Sequence, residues 1–253
     1  MSGQLERLID SLLYEGYALY PYTPGATKNA TPTPFGIVYP PAYAARHDST
    51  FDHLVLDCEL ETEEDPEIDA EVRFLAASGV RHQAQPQRVA LERDEGSRDF
   101  VVGGLAVRLT LDRPSPSRVS LRVENVTAAG ADIDRAEALR HSLISTHPLL
   151  HVSGGRFVSP LESDCRSVNT YPVLATPEDD AMLGAAIVLP DHPQIAPESL
   201  GNLFDSTEIE EALLLHVRAL SDEEREQIAA QDPAVSEMVA RAAATTPEEL
   251  LAL

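Results

Sequence analysis

Between Glu71 and Thr127 the sequence alternates apolar and polar residues with a period of two, and this constrains the fold more than any other feature of the chain. The runs EVRFL, RVALE, LAVRLTL and RVSLRVENV all carry it. In the third, Leu105, Val107, Leu109 and Leu111 fall on one side of an extended chain, with Arg108 and Thr110 on the other. Val119, Leu121 and Val123 repeat the pattern, with Val126 beyond them. A helix would scatter these residues around its circumference, whereas a half-buried antiparallel sheet places them on one face. Asp94-Glu95-Gly96-Ser97 and Arg113-Pro114-Ser115-Pro116 have hairpin-like lengths, which predicts a meander or half-sandwich. None of these runs carries a catalytic pattern.

The flanking segments extend this body. Phe51 to Leu60 reads as a strand around Asp57 and Cys58. The acidic run from Glu59 to Glu71 reads as a solvated loop or edge, since it lacks the spaced ligands and central glycine of a calcium loop. Asp134 to Thr146 can form a helix that ends before His147-Pro148. LLHVSGGRFVSP reads as a hairpin over Gly154-Gly155, in the wrong order for a phosphate-cradling loop. Val168–Ala175 and Met182–Leu189 are further strand candidates.

At the start, Leu5, Leu8, Ile9, Leu12 and Leu13 have helical spacing, which predicts a short amphipathic helix over Gln4–Leu13 broken by Gly16. An irregular Tyr/Pro arm follows and contains Tyr20, Tyr22, Lys28 and Asn29. At the other end, Thr207 with Glu210 forms a capping box, and further caps predict a run of short helices. The expectation is thus an α+β chain in one compact unit: a helix and arm over 1–50, a largely antiparallel β body over 51–190 with one helix near 134–146, and a loop with C-terminal helices over 191–253.

Charge narrows the function. The net charge is −23, from 42 acidic against 19 basic residues, and Lys28 is the only lysine. Such a field repels phosphate backbones and anionic membranes, so nucleic-acid binding is not expected, whereas a basic protein partner or a cation is favoured. Cys58 and Cys165 show no metal-knuckle spacing, and the longest apolar run, Ala181–Leu189, is too short to span a bilayer. These features predict a cytoplasmic protein without membrane insertion, and leave its oligomeric state open.

Individual residues offer three chemistries. Lys28 could serve as a nucleophile or anion ligand, or simply as a structural contact. His141, His147 and His151 are each open to a metal role; His141 and His147 are six residues apart, which is not the i, i+4 pair of a zinc-protease helix, so a ligand pair here needs tertiary folding to assemble it. The loop from Asp191 to Gly201 holds Asp191, His192 and Glu198 among spaced prolines, and Asp205 follows it.

Two blocks, LLYEGYALYPYTPGATKN and NTYPVL followed by PDHPQIAPESLGNLFDSTEIEEALLLHVRALSDEE, resemble an uncharacterised bacterial family encoded beside actinobacterial-type nickel-iron hydrogenase genes. The matching positions include Tyr20, Tyr22, Lys28, Asn29, His192, Glu198 and Asp205. The resemblance implies a pathway rather than a reaction. Thr23 stands where the family pattern has Arg, and the Trp expected shortly after Lys-Asn is absent, which implies an altered site in this member if those two residues belong to one.

The leading expectation is a non-enzymatic accessory or assembly protein that acts by protein–protein contacts with hydrogenase subunits or their maturation factors, with no cofactor of its own. Tyr20, Tyr22, Lys28, Asn29, His192, Glu198 and Asp205 are its candidate binding residues. One alternative is a metal-binding or metal-dependent protein that holds nickel, zinc or iron through His147, His192 and Glu198. A second is a small-molecule enzyme using acid-base carboxylates, Glu198 first among them.

Overall fold

The computed structural model describes residues 3–18, 36–62, 66–78, 83–93 and 95–194. The Tyr/Pro arm over 19–35 and the C-terminal helices expected beyond residue 206 lie outside the described residues.

Among the described residues the body consists of ten strands in two five-stranded sheets, and every strand pair is antiparallel. The first sheet runs β4 (Ser97–Val102), β5 (Leu105–Ser115), β6 (Arg118–Asn125), β1 (His53–Glu61) and β8 (Arg156–Phe157). The second runs β3 (Gln83–Ala90), β2 (Glu67–Ser78), β7 (Ile144–Ser153), β10 (Ala181–Ala185) and β9 (Tyr171–Leu174). One core joins them. Leu54, Leu56, Cys58 and Leu60 of β1 and Val119, Leu121 and Val123 of β6 meet Ala70, Val72, Phe74 and Ala76 of β2, with Leu150 and Val152 of β7. The period-two pattern thus buries one face of each strand between two sheets, as a sandwich requires.

Three turns differ from their expected roles. The chain from Leu91 to Gly96 leaves β3 in the second sheet and enters β4 in the first, so it crosses between sheets and is not a hairpin. Gly154-Gly155 does the same, because β7 pairs with β2 and β10 whereas β8 pairs with β1. Turn residues signal reversal in both cases, but only the packing partner decides which sheet receives the chain. Arg113, Pro114 and Ser115 remain within β5, where a register shift between Asp112 and Ser115 accommodates the proline, and the turn moves to Pro116-Ser117. The β4–β5 hairpin closes on Gly103 and Gly104, both at positive φ, the pair of angles that a tight two-residue hairpin needs.

Helices sit at the periphery. α1 (Gly3–Ala18) continues past Gly16, which the expected break did not allow; a glycine costs a helix only about 1 kcal/mol, less than a well-packed stripe contributes. A four-residue helix, α2 (Pro41–Ala44), helps close one end of the sandwich, where Tyr39 stacks on Tyr43 and Tyr43 on His47. α3 (Arg135–Arg140) is capped by Asp134, whose carboxylate accepts from Glu137 N at 2.8 Å. It ends six residues before the expected limit. Leu143 exchanges backbone hydrogen bonds with Val38, and Ile144 opens β7, so the apolar residues assigned to a helical face enter the sheet.

Candidate functional site

Residues 69–73, Asp-Ala-Glu-Val-Arg, send Ala70 and Val72 into the sandwich, so Asp69, Glu71 and Arg73 project from the opposite face of β2. Their register partners on β7 are His151, Leu149 and His147. An acidic and basic row therefore lies on the outer side of the second sheet, beside a histidine-bearing strand. α1 covers part of it. Leu5, Leu8, Ile9 and Leu12 pack on Leu149, Val173, Ala181 and Leu183, which accounts for the spacing of apolar residues in the helix.

Covering this face buries charge. Arg73 is 5% exposed and Glu71 7%. The Arg73 guanidinium donates to both carboxylate oxygens of Glu6 on α1, at 2.6 and 2.8 Å, and through Nε to Glu71 at 2.9 Å. Arg88 on β3 donates to the other Glu71 oxygen from Nε at 2.9 Å. The result is a chain of alternating charges, Glu6–Arg73–Glu71–Arg88, in which two cations balance two anions and a fork-shaped pair fixes α1 to the sheet. The Arg73 hydrogen bonds hold the Glu6 carboxyl below its usual range. Burial alone would lower the Arg73 pKa, but the bonds to Glu6 and Glu71 outweigh it and raise it. Asp10, one turn further along α1, is raised by burial. The acidic run was expected to be solvated; in fact Glu59 and Glu61 belong to β1, and Glu71 is buried as the acceptor for two arginines.

Beside α1 the row opens into a cleft of about 270 Å³ lined by Asp69, Ala70, Glu71, Arg88, Ala90, Leu91, Leu149 and His151. His151 Nε2 lies 3.3 Å from Asp180 at the far wall. A wider depression of about 1090 Å³, bounded by Glu61, Glu67, Glu178, Arg156 and the Gly154-Gly155 turn, lies near the sheet crossing.

His147, a candidate metal ligand, lies in the same row but is 1% exposed. Its Nδ1 is 3.2 Å from the Gly184 carbonyl, which can only accept, so Nδ1 carries the proton; Nε2 lies 3.2 Å from the Ser145 hydroxyl. The adjacent Pro148 has no N–H to offer β10, and a side chain at Gly184 would meet the Pro148 ring at 2.6 Å. Gly184 therefore makes room for a proline in a central strand, and His147 satisfies the carbonyl beside it. Burial drives the His147 pKa down to about 4 and keeps the ring neutral. Both nitrogens are engaged within the fold.

Asp191 and His192 are also held by the fold. Asp191 accepts from Leu174 N at 3.0 Å and from the Ser159 hydroxyl at 2.5 Å. His192 N donates to Leu174 O, and its ring meets Asp179 at 2.7 Å. These bonds fasten the start of the 191–201 loop along β9. His147 and His192 share no hydrogen-bond partner. Tyr20, Tyr22, Lys28, Asn29, Glu198 and Asp205 lie outside the described residues. Among the described residues, no three His, Cys, Asp or Glu side chains come together as a metal-ion ligand set, and Cys58 and Cys165 are free thiols.

His151 is one of the three histidines open to a metal role and pairs instead with Asp180, whereas Glu71, Arg73, Arg88 and Asp69 are not among the candidates from sequence. Their signal is present in two places: four charged residues of one parity in β2, and Glu6 with Asp10 one turn apart on the flank of the α1 stripe. Neither says that the two surfaces meet. No helix among the described residues is long and apolar enough to cross a membrane. Comparison with protein-family models and with curated proteins finds no match to this chain.

Proposed function

We propose that this protein acts by binding rather than by catalysis, as an accessory or assembly protein in the cytoplasm whose acidic exterior meets a protein partner. Nickel-iron hydrogenase subunits or their maturation factors are the partner class implied by the sequence resemblance. The observation that carries the reading is the use made of positive charge. Ten arginines among the described residues are ion-paired to carboxylates of the same chain. With a net charge of −23, the carboxylates left unmatched form the exterior field, which attracts a basic protein face and speeds its encounter. The buried histidine supports the same reading, since its ring nitrogens serve the fold.

Affinity-tagged full-length protein is expected to retain hydrogenase subunits or a maturation factor at low salt and to release them as salt rises. A strain that lacks the protein and still assembles fully active hydrogenase overturns the proposal.

A further inference from the structure

We infer that the cleft on the outer face of the second sheet, walled by β2, β3 and β7, is a socket for one basic side chain, an arginine or lysine of the protein partner. This rests on the binding reading above and assigns it a contact point.

Three properties of the cleft select the occupant. Its volume, about 270 Å³, falls below the roughly 300–1,000 Å³ of pockets that enclose drug-sized ligands, and suits a single long side chain. The lining divides by chemistry: Ala90, Leu91 and Leu149 supply aliphatic surface, against which the methylene stem of an arginine or lysine packs while its head stays near the opening. The charges are unequally matched. Glu71, Arg73, Arg88 and Glu6 neutralise one another, and Arg88 already directs Nε and Nη2 to Glu71. Asp69, in contrast, is exposed and has no hydrogen-bond or ion-pair partner among the described residues, and His151 beyond it is already oriented by Asp180. An anionic ligand would meet an Arg88 already committed to Glu71 through Nε and Nη2; a cationic head finds the Asp69 carboxylate in the same cleft as the aliphatic surface.

The test uses full-length protein and two small probes, N-acetyl-arginine amide and its uncharged isostere N-acetyl-citrulline amide, followed by NMR shifts of the β2, β3 and β7 amides. Arginine amide is expected to shift the amides around Asp69, Leu149 and His151 at millimolar concentration, with citrulline amide at least fivefold weaker. Asp69→Asn should weaken arginine amide at least fivefold, and Ala90→Tyr, which fills the cleft from an exposed strand position, should abolish the local shifts. Asp112→Asn, an equal charge change on the first sheet, should leave them within twofold. Shifts spread evenly over the acidic surface, or unchanged in both cleft variants, overturn the socket. If tagged wild-type protein retains hydrogenase components and Asp69→Asn and Ala90→Tyr retain them equally, the socket fails while the accessory reading stands. If local probe binding behaves as expected but no hydrogenase component is retained, the accessory reading fails and the cationic socket stands.

Discussion

The two sheets are written in the same period-two code, yet their outer faces have different fates. On the first sheet, Arg108 of β5 pairs with Asp99 of β4, with side chains 44% and 58% exposed. On the second, Arg73 of β2 pairs with Glu6 and Glu71 and its side chain is 6% exposed. Both are arginines at polar positions of an alternating strand, with carboxylate partners. The difference is α1, which lies over the second sheet and takes its charges out of water. An exposed pair gains little, because solvent screens it and two side chains must be ordered. A buried pair gains little against an apolar substitute either, but breaking it leaves an uncompensated charge in a poor solvent.

That contrast can be broken most decisively at the arginines. Arg73→Ala is expected to lower unfolding free energy by about 3–5 kcal/mol, since Glu71 and Glu6 lose their shared cation. Arg108→Ala should leave the urea midpoint unchanged. Equal effects would show that α1 does not create a distinct environment.

A somewhat smaller effect is expected from pH. His147, under the same helix, has a folded pKa of about 4 against an ordinary 6.5. The unfolded chain therefore takes up this proton first as pH falls. Stability from the neutral ring is complete above about pH 6.5, declines between there and pH 4, and levels off once both states are protonated. The total is at most about 3–4 kcal/mol. Urea unfolding at pH 7, 5.5 and 4 should show a slope that His147→Gln removes; an unchanged slope would assign it to other groups.

The smallest contrast concerns methyl groups. Ile9→Val in α1, at a fully buried position on the second sheet, should cost about 1 kcal/mol. Val101→Thr on the outer edge of the first sheet, at 86% exposure, should fall within roughly 0.5 kcal/mol of zero. Similar losses at both positions would mean that α1 packs no better than an open edge.

The alternation in β5 and β6 was legible from side chains alone, because neighbouring residues on a strand must face opposite ways whatever surrounds them. The helical stripe from Leu5 to Leu12 was legible for the same reason. The segment 141–148 was not: Leu143 and Ile144 suit a helical face as well as a strand, and the choice followed from Val38 and β2 being available to pair. His147 and His192 drew attention as residue types, but their hydrogen bonds to Gly184 and Asp179 depend on segments far away in sequence. The acidic run that ends at Glu71 reads as solvated because strand chemistry does not record what lies across from it.

By itself, then, the sequence determined the strand and helix periods, the acidic exterior and the absence of a catalytic signature, all of which are local or additive properties. Tertiary structure decided which turns cross between sheets, which polar face is covered and that Asp69, beside the covered charges, has no partner among the described residues. Those outcomes depend on how surfaces pair over long sequence separations, where burial changes the energy of an unaltered side chain.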